Sequence, residues 1–168
     1  IPETTLAWVC DLNQERLDHL SALYPEARTT QRFDDLLASD VEAIAVATPV
    51  RLHHPLALRA LRAGKHVLVE KPMTLTSEEG WELVSIAEEE NLTLSVGHIY
   101  RFNNALLEIR RLIEQKFFGR IFLMDLQWKN LEKPFVDRDV IFDLAPHYFD
   151  IVNYLLGEWP RRITCIAR

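Results

Sequence analysis

The run Gly64-Lys65-His66-Val67-Leu68-Val69-Glu70-Lys71-Pro72 goes from a helix stop, through a strand, to a turn. Gly64 ends the Ala/Leu-rich segment before it, because glycine enters the left-handed region without a steric penalty. His66 to Glu70 is a short apolar run bounded by turn residues, which predicts a strand. The Glu-Lys-Pro step then falls at the carboxyl end of that strand, where open α/β sheets bind their ligands. A lysine there can donate a hydrogen bond to a hydroxyl, or take up a proton if burial lowers its pKa. Pro72 fixes the chain direction, and a cis peptide bond is one way to do so. The plain alternative is a surface lysine in a turn.

Working outward, the same rhythm repeats. Leu6 to Cys10 predicts a buried strand ending at Asp11. Asn13 to Leu23 carries Leu17, Leu20 and Leu23 at helical spacing. A short strand is expected over Thr29 to Phe33, and a short helix over Asp34 to Ser39. Ala43 to Ala47 is a second buried strand, stopped by Thr48-Pro49, and His54 to Ala63 is a helix. Downstream, Thr76 and Glu79 fit a capping box for a helix reaching about Glu90. Leu92 to Val96 is a fourth strand. This alternation predicts an α/β fold with a parallel sheet and right-handed crossovers.

After Gly97 the pattern changes, which places a domain boundary between residues 1–97 and 98–168. Asn104 to Lys116 predicts an amphipathic helix with Leu107, Leu112 and Ile113 inward and Arg110 and Arg111 outward. Ile121 to Trp128 alternates like a strand with one polar face. A loop over Lys129 to Asp139 leads to an apolar helix ending at Leu156. Ile163 to Ala167 is strand-like.

Composition narrows the class. The 168 residues are 48% hydrophobic and 26% charged, enough for a packed core. A net charge of -6 without basic clusters argues against nucleic-acid binding. No apolar run approaches the roughly 20 residues of a membrane helix. Two distant cysteines, Cys10 and Cys165, do not make a disulfide framework, and a cytoplasmic setting is expected. His53-His54 lacks metal-ligand partners at suitable spacing, so no metal site is expected. Trp81, Trp128 and Trp159 are read as core or interface residues.

Asp143 and His147 stand four apart, so on one helix they share a face. Pro146 is comfortable only in a first turn, which predicts that Asp143 lies just before the helix. The unspecialised alternative has Asp143 as a cap and His147 as a packed core residue.

Several motifs in order carry a resemblance. They are Ala47-Thr48-Pro49-Val50-Arg51-Leu52-His53, Ala63-Gly64-Lys65-His66-Val67 and Glu70-Lys71-Pro72. Gly97-His98-Ile99-Tyr100-Arg101-Phe102, Gly119-Arg120-Ile121 and Asp143-Leu144-Ala145-Pro146-His147 follow them. Together they resemble the glucose-fructose oxidoreductase/inositol dehydrogenase/rhizopine catabolism (Gfo/Idh/MocA) family over nearly the whole chain. Two positions depart from its pattern: Val50 stands where the family usually has Asn, and Ala145 where it has Gly.

The resemblance implies a Rossmann domain for NAD, with NADP as a second possibility, followed by an α+β substrate domain. It implies hydride transfer between a sugar or nucleotide-sugar carbon and nicotinamide. Lys71 would polarise the reacting hydroxyl, His147 would act as general acid/base, and Asp143 would orient the substrate or the histidine. Asp11 would bond the adenosine ribose and disfavour a 2′-phosphate, since Leu12-Asn13 rather than Arg follow it; capping the next helix is its other possible role. Thr48 and Pro49 would border the cofactor, Glu70 would contact its nicotinamide ribose, and Arg101 would reach cofactor or substrate. His53 would lie near the nicotinamide or simply open a helix. Asp-Leu-Ala-Pro-His with Leu156-Gly157-Glu158-Trp159-Pro160 is most similar to members acting on nucleotide-linked sugars, with UDP-N-acetylglucosamine oxidised at its 3-hydroxyl as the specific expectation. A nicotinamide-sensing protein without catalysis is the alternative, and an imine or tetrapyrrole reductase of the same fold is a third.

In the strand order 3-2-1-4-5-6, strand 1 and its glycine loop precede the Asp11 strand. The resemblance therefore implies a truncated sheet followed by the start of the second domain. Alone, such a chain is expected to be unstable and to bind NAD poorly. The intact parent is expected to have about twice this length and to form a homo-oligomer through its C-terminal sheet.

Overall fold

The structure, a computed structural model, describes residues 3–128, 140–164 and 166, with the side chain of Val140 left aside. The expected loop over Lys129 to Asp139, together with Cys165, Ala167 and Arg168, lies outside the described residues. The chain divides into two compact units, Ile1–Val96 and Gly97–Arg168.

In the first unit the elements are β1 (Trp8–Cys10), α1 (Gln14–Leu23), β2 (Arg28–Thr30), α2 (Phe33–Leu37), β3 (Ala43–Val46), α3 (His53–Arg62), β4 (His66–Val69), α4 (Ser77–Glu89) and β5 (Leu94–Val96). All strand pairs are parallel: β1 with β2 in one sheet, and β3-β4-β5 in a second. Set against the order 3-2-1-4-5-6, β2-β1 match positions 3-2 and β3-β4-β5 match 4-5-6.

Burial of β3 and β4 is one-sided. Ile44, Val46, Val67 and Val69 are buried, while Ala43, Ala45, His66 and Leu68 are exposed. The expectation of fully buried strands is corrected here. Helices α3 and α4 cover one face of this sheet, so only the alternate residues pointing at them are buried. Ala57, Ala60 and Leu61 of α3 have no exposed surface, and their small side chains let the helix lie close on the strands. Gly64, at φ 73°, ends that helix where a side chain would be strained.

Thr76 and Glu79 form the expected capping box before α4. The cap of α1 is Asn13, whose side chain accepts from the Arg16 amide, rather than Asp11, which accepts from the Asn13 amide one step earlier.

The second unit contains a 3-10 turn (Ile99–Phe102), α5 (Asn104–Glu114) and α6 (Val140–Leu156). Asn103 caps α5 through the amides of Ala105 and Leu106. Helices α5 and α6 pack together. The expected α5 face is partly corrected. Leu107 is exposed, whereas Leu106, Arg110, Leu112 and Ile113 are partly covered. Leu106, Arg110 and Ile113 follow i, i+4, i+7 spacing, and Arg110 is drawn in because its guanidinium lies 4.3 Å from the Tyr154 ring on α6.

Helix α6 runs through Pro146, with Asp143 in its first described turn. The expectation that Asp143 precedes the helix is thus corrected. Proline forgoes one backbone bond, and the helix continues around it on a face that buries Ile151 and Leu155. Two expected strands are also absent among the described residues. Ile121 to Trp128 and the described part of Ile163 to Ala167 form no ladder. Phe122, Leu123, Ile163 and Ile166 stand exposed, with no paired strand to satisfy their backbone or cover their side chains.

Leu83 of α4 is fully buried in the cluster with Val67, Val69 and Leu61. Replacing it by Ala is expected to destabilise the protein by about 2–5 kcal/mol, seen as a lower urea midpoint at unchanged slope. An unmoved midpoint would remove Leu83 from the core.

Candidate active site

The first unit gathers its polar groups at the carboxyl ends of its parallel strands. Asp11 follows β1, Thr48-Pro49 follow β3, and Glu70-Lys71-Pro72 follow β4. Registered pairing of Ala43 to Val46 with His66 to Val69 carries the last two groups off the same edge.

The Asp11 carboxylate accepts the Asn13 backbone N–H at 2.8 Å through Oδ1, and Arg16 Nη1 at 3.3 Å through Oδ2. The Asn13 amide chiefly, and the Arg16 guanidinium after it, hold this carboxyl below the usual carboxylate range. No arginine immediately follows Asp11, but Arg16, five residues on, is brought back to it by the start of α1. Cys10 beside it stays a thiol, since burial and then the charges of Asp11 and Asp35 push its pKa up.

Thr48 is half-buried, and its Oγ1 is shut off from solvent with no hydrogen-bond partner among the described residues. A buried hydroxyl without a partner at a strand's carboxyl end fits a site built for a ligand with polar oxygens, such as a dinucleotide. His53 begins α3 and is 2% exposed. Its Nε2 lies 2.7 Å from the Thr48 carbonyl oxygen and its Nδ1 2.8 Å from that of Pro72.

The Lys71–Pro72 peptide bond is cis, one of the two forms the sequence allowed. Glu70 Oε2 accepts the Lys71 backbone N–H at 3.2 Å, folding the carboxylate back on the turn, and Lys71 is half-buried. Met73 and Thr74 then lie so close to α4 that a Cβ on Gly80 would meet Met73 Cε at 3.1 Å and Thr74 Oγ1 at 3.3 Å.

In the second unit, Asp143, His147 and Asp150 lie at i, i+4 and i+7 on the buried face of α6. They are 8%, 7% and 8% exposed, far below what such residue types usually show. Tyr100 meets the His147 ring edge-on, with centroids 4.8 Å apart, and Trp128 stacks on it at 5.9 Å and 11°. These aromatics hold the imidazole plane. Trp128 makes these ring contacts while still 36% exposed, and Trp81 and Trp159 are more exposed still, so none of the three is a core residue.

Asp150 was not singled out from sequence, although its spacing from Asp143 and His147 in an apolar helix was visible. Its Oδ1 accepts a hydrogen bond from Arg101 Nε at 2.7 Å, and Arg101 Nη2 lies 2.7 Å from the same oxygen as an ion pair. Arg101, expected to reach cofactor or substrate, is therefore engaged within its own unit, with its guanidinium 5.3 Å from the Tyr154 ring. His98 Nδ1 lies 3.8 Å from Asp150 Oδ2. Burial lowers the pKa of His98 against the opposing pull of Asp150, which keeps its ring neutral near neutral pH.

Among the described residues no three His, Cys, Asp or Glu side chains group to hold a metal ion, and no helix is long and apolar enough to cross a membrane.

Comparison with known proteins agrees with this layout. Residues 2–98 match the oxidoreductase family with an NAD-binding Rossmann fold, GFO_IDH_MocA. The chain is 37% identical over 163 residues to UDP-N-acetylglucosamine 3-dehydrogenase of Acidithiobacillus ferrooxidans, covering 96% of this chain and 50% of that one. It is 30% identical over 159 residues to the scyllo-inositol 2-dehydrogenase (NADP(+)) IolW of Bacillus subtilis, covering 89% and 44%. The crystal structure of the WlbA dehydrogenase from Bordetella pertussis in complex with NADH and UDP-GlcNAcA superposes with a TM-score of 0.74 at 29% identity, covering 89% of this chain and 47% of that chain. The chain thus spans about half the length of the curated relatives it matches. With its parallel strands, its strand-end polar groups and this match over the whole first unit, the chain belongs to the Gfo/Idh/MocA oxidoreductase family, whose first domain is an NAD-binding Rossmann fold.

Proposed function

We propose that the protein containing this chain oxidises a hydroxyl of a nucleotide-linked sugar, with UDP-N-acetylglucosamine as the substrate to test first and NAD as the cofactor. The observation that carries this reading is the burial of Asp143 and His147 on one face of α6. Titratable groups are seldom withdrawn from water unless they are paired or put to chemical use. The likeness to a UDP-N-acetylglucosamine 3-dehydrogenase supports the substrate class.

Alcohol oxidation removes a hydride from carbon and a proton from oxygen. The nicotinamide, when bound, accepts the hydride. The chain's own residues do the rest. Lys71 donates a hydrogen bond to the reacting hydroxyl and stabilises the alkoxide as it forms. His147 takes the hydroxyl proton, with its ring fixed by Tyr100 and Trp128. Asp143, one turn away, stabilises the imidazolium that results. Asp11 receives the ribose hydroxyls, and Thr48 Oγ1 and the backbone at Pro49 and Glu70 border the cofactor. Arg101 holds the 3-10 turn that carries Tyr100 against α6 through Asp150.

Turnover on UDP-N-acetylglucosamine with NAD, followed by NADH formation, tests the reading. Replacing Lys71 by Ala, or His147 by Asn, is expected to lower kcat by roughly a hundredfold or more, the usual size of a proton-transfer contribution. Unchanged turnover in either variant would remove that residue from the mechanism.

The charge of Asp11 gives a further prediction. Because its pKa is lowered, Asp11 is ionised throughout the neutral range. Its contribution to stability is full above its ordinary value of 3.8 and is lost as pH falls through the lower folded value. NAD affinity is therefore expected to be level from neutral pH down to about pH 5, as far as Asp11 governs it. Asp11→Asn weakens the hold on Arg16 and is expected to shift preference from NAD toward NADP. Dissociation constants for both cofactors check this, and an unaltered ratio would count against Asp11 as the ribose ligand.

A further inference from the structure

We propose that His53 is a positioning residue that straps the turn after β3 to the turn after β4, and so sets the backbone at Thr48 and at Lys71 together. The proposal rests on the nicotinamide reading above, in which those two turns border the cofactor and carry the reacting lysine.

The parallel ladder between β3 and β4 extends to a bond from the Glu70 N–H to the Val46 carbonyl at 3.0 Å. The polar groups that matter lie past that bond, at Thr48 and at Lys71-Pro72. Two turns leaving neighbouring strands have no intrinsic reason to stay in step once the ladder stops. The His53 ring spans them, with Nε2 2.7 Å from the Thr48 carbonyl and Nδ1 2.8 Å from the Pro72 carbonyl. A neutral ring donates to one of these oxygens, a protonated ring to both.

The ring is stationary for two reasons. It is 2% exposed, and it belongs to the first turn of a helix whose Ala57, Ala60 and Leu61 have no exposed surface. The strap is therefore anchored to the core. With both ring nitrogens on main-chain carbonyls, His53 acts on the cofactor site through the backbone rather than by touching the nicotinamide.

Three substitutions separate the two ends of the strap. The amide nitrogen of Asn falls near the Nδ1 position and can serve Pro72; that of Gln falls near Nε2 and can serve Thr48. Leu serves neither carbonyl and removes whichever hydrogen bond the ring donates. In the protein containing this chain, the measurements are NADH affinity by fluorescence, kcat and KM, and hydrogen exchange over residues 46–52 and 69–76. His53→Leu is expected to weaken NADH binding and to lower kcat, each by about tenfold, with faster exchange confined to the two turns. His53→Asn is expected to recover kcat more than NADH affinity, and His53→Gln the reverse.

Unaltered exchange and unaltered NADH affinity in folded His53→Leu would overturn the strap. So would equal behaviour of the Asn and Gln variants with exchange rising throughout the core, which marks a residue needed only for packing. Should the unsubstituted protein fail to bind NADH, the nicotinamide reading falls, while exchange in the two turns still decides whether His53 joins them.

Discussion

The parallel registration of β3 with β4 is the constraint from which the first unit follows. Residues 43 to 46 face residues 66 to 69 one for one, so both strands end at one level. Slipping a parallel strand by one residue would turn its buried valines outward. Val46 and Val69, 3% and 0% exposed, cannot be turned out without losing the contact with α3 and α4. Hydrophobic packing on one face thereby dictates where the polar turns at the strand ends begin. The groups assigned to cofactor and substrate owe their placement to apolar residues a few positions earlier.

Much of this was legible in the chain itself. The strand-helix alternation needs only apolar runs and their stops. The start of α4 is written in Thr76 and Glu79, and the end of α3 in Gly64. The Glu-Lys-Pro step announced a turn at a strand's carboxyl end, and the backbone there bends as such a step allows. The less legible features depend on what a segment packs against. Ile121 to Trp128 alternates as a strand does, but alternation supplies no partner, and no ladder forms among the described residues. The inward face of α5 shifted from Leu107 to Arg110 because a tyrosine on α6 offers the guanidinium an aromatic ring.

The site divides along the same line. Lys71, Asp143 and His147 could be named from motif and spacing. Asp150 shares that spacing, but its role, like that of Arg16, depends on a partner that spacing does not reveal, far along the chain or one helical turn away. Asp150 draws in Arg101, 49 residues earlier. A single buried carboxylate thus holds the 3-10 turn against α6, and with it the tyrosine that flanks His147. Burying Asp150 without its guanidinium would leave an uncompensated charge, so the two residues stand or fall together.

Gly80 carries a wider implication. Its bare Cα allows Met73 and Thr74 to press directly on α4, at distances a side chain would fill. The stretch following Pro72 is therefore bedded on a helix of 13 residues rather than hanging as a free loop. The backbone around Lys71 inherits the stiffness of that helix. Whatever frays the first turn of α4, where Thr76 and Glu79 lock it, would be felt as a loosened ammonium group several residues upstream, with no chemical group of the site itself disturbed.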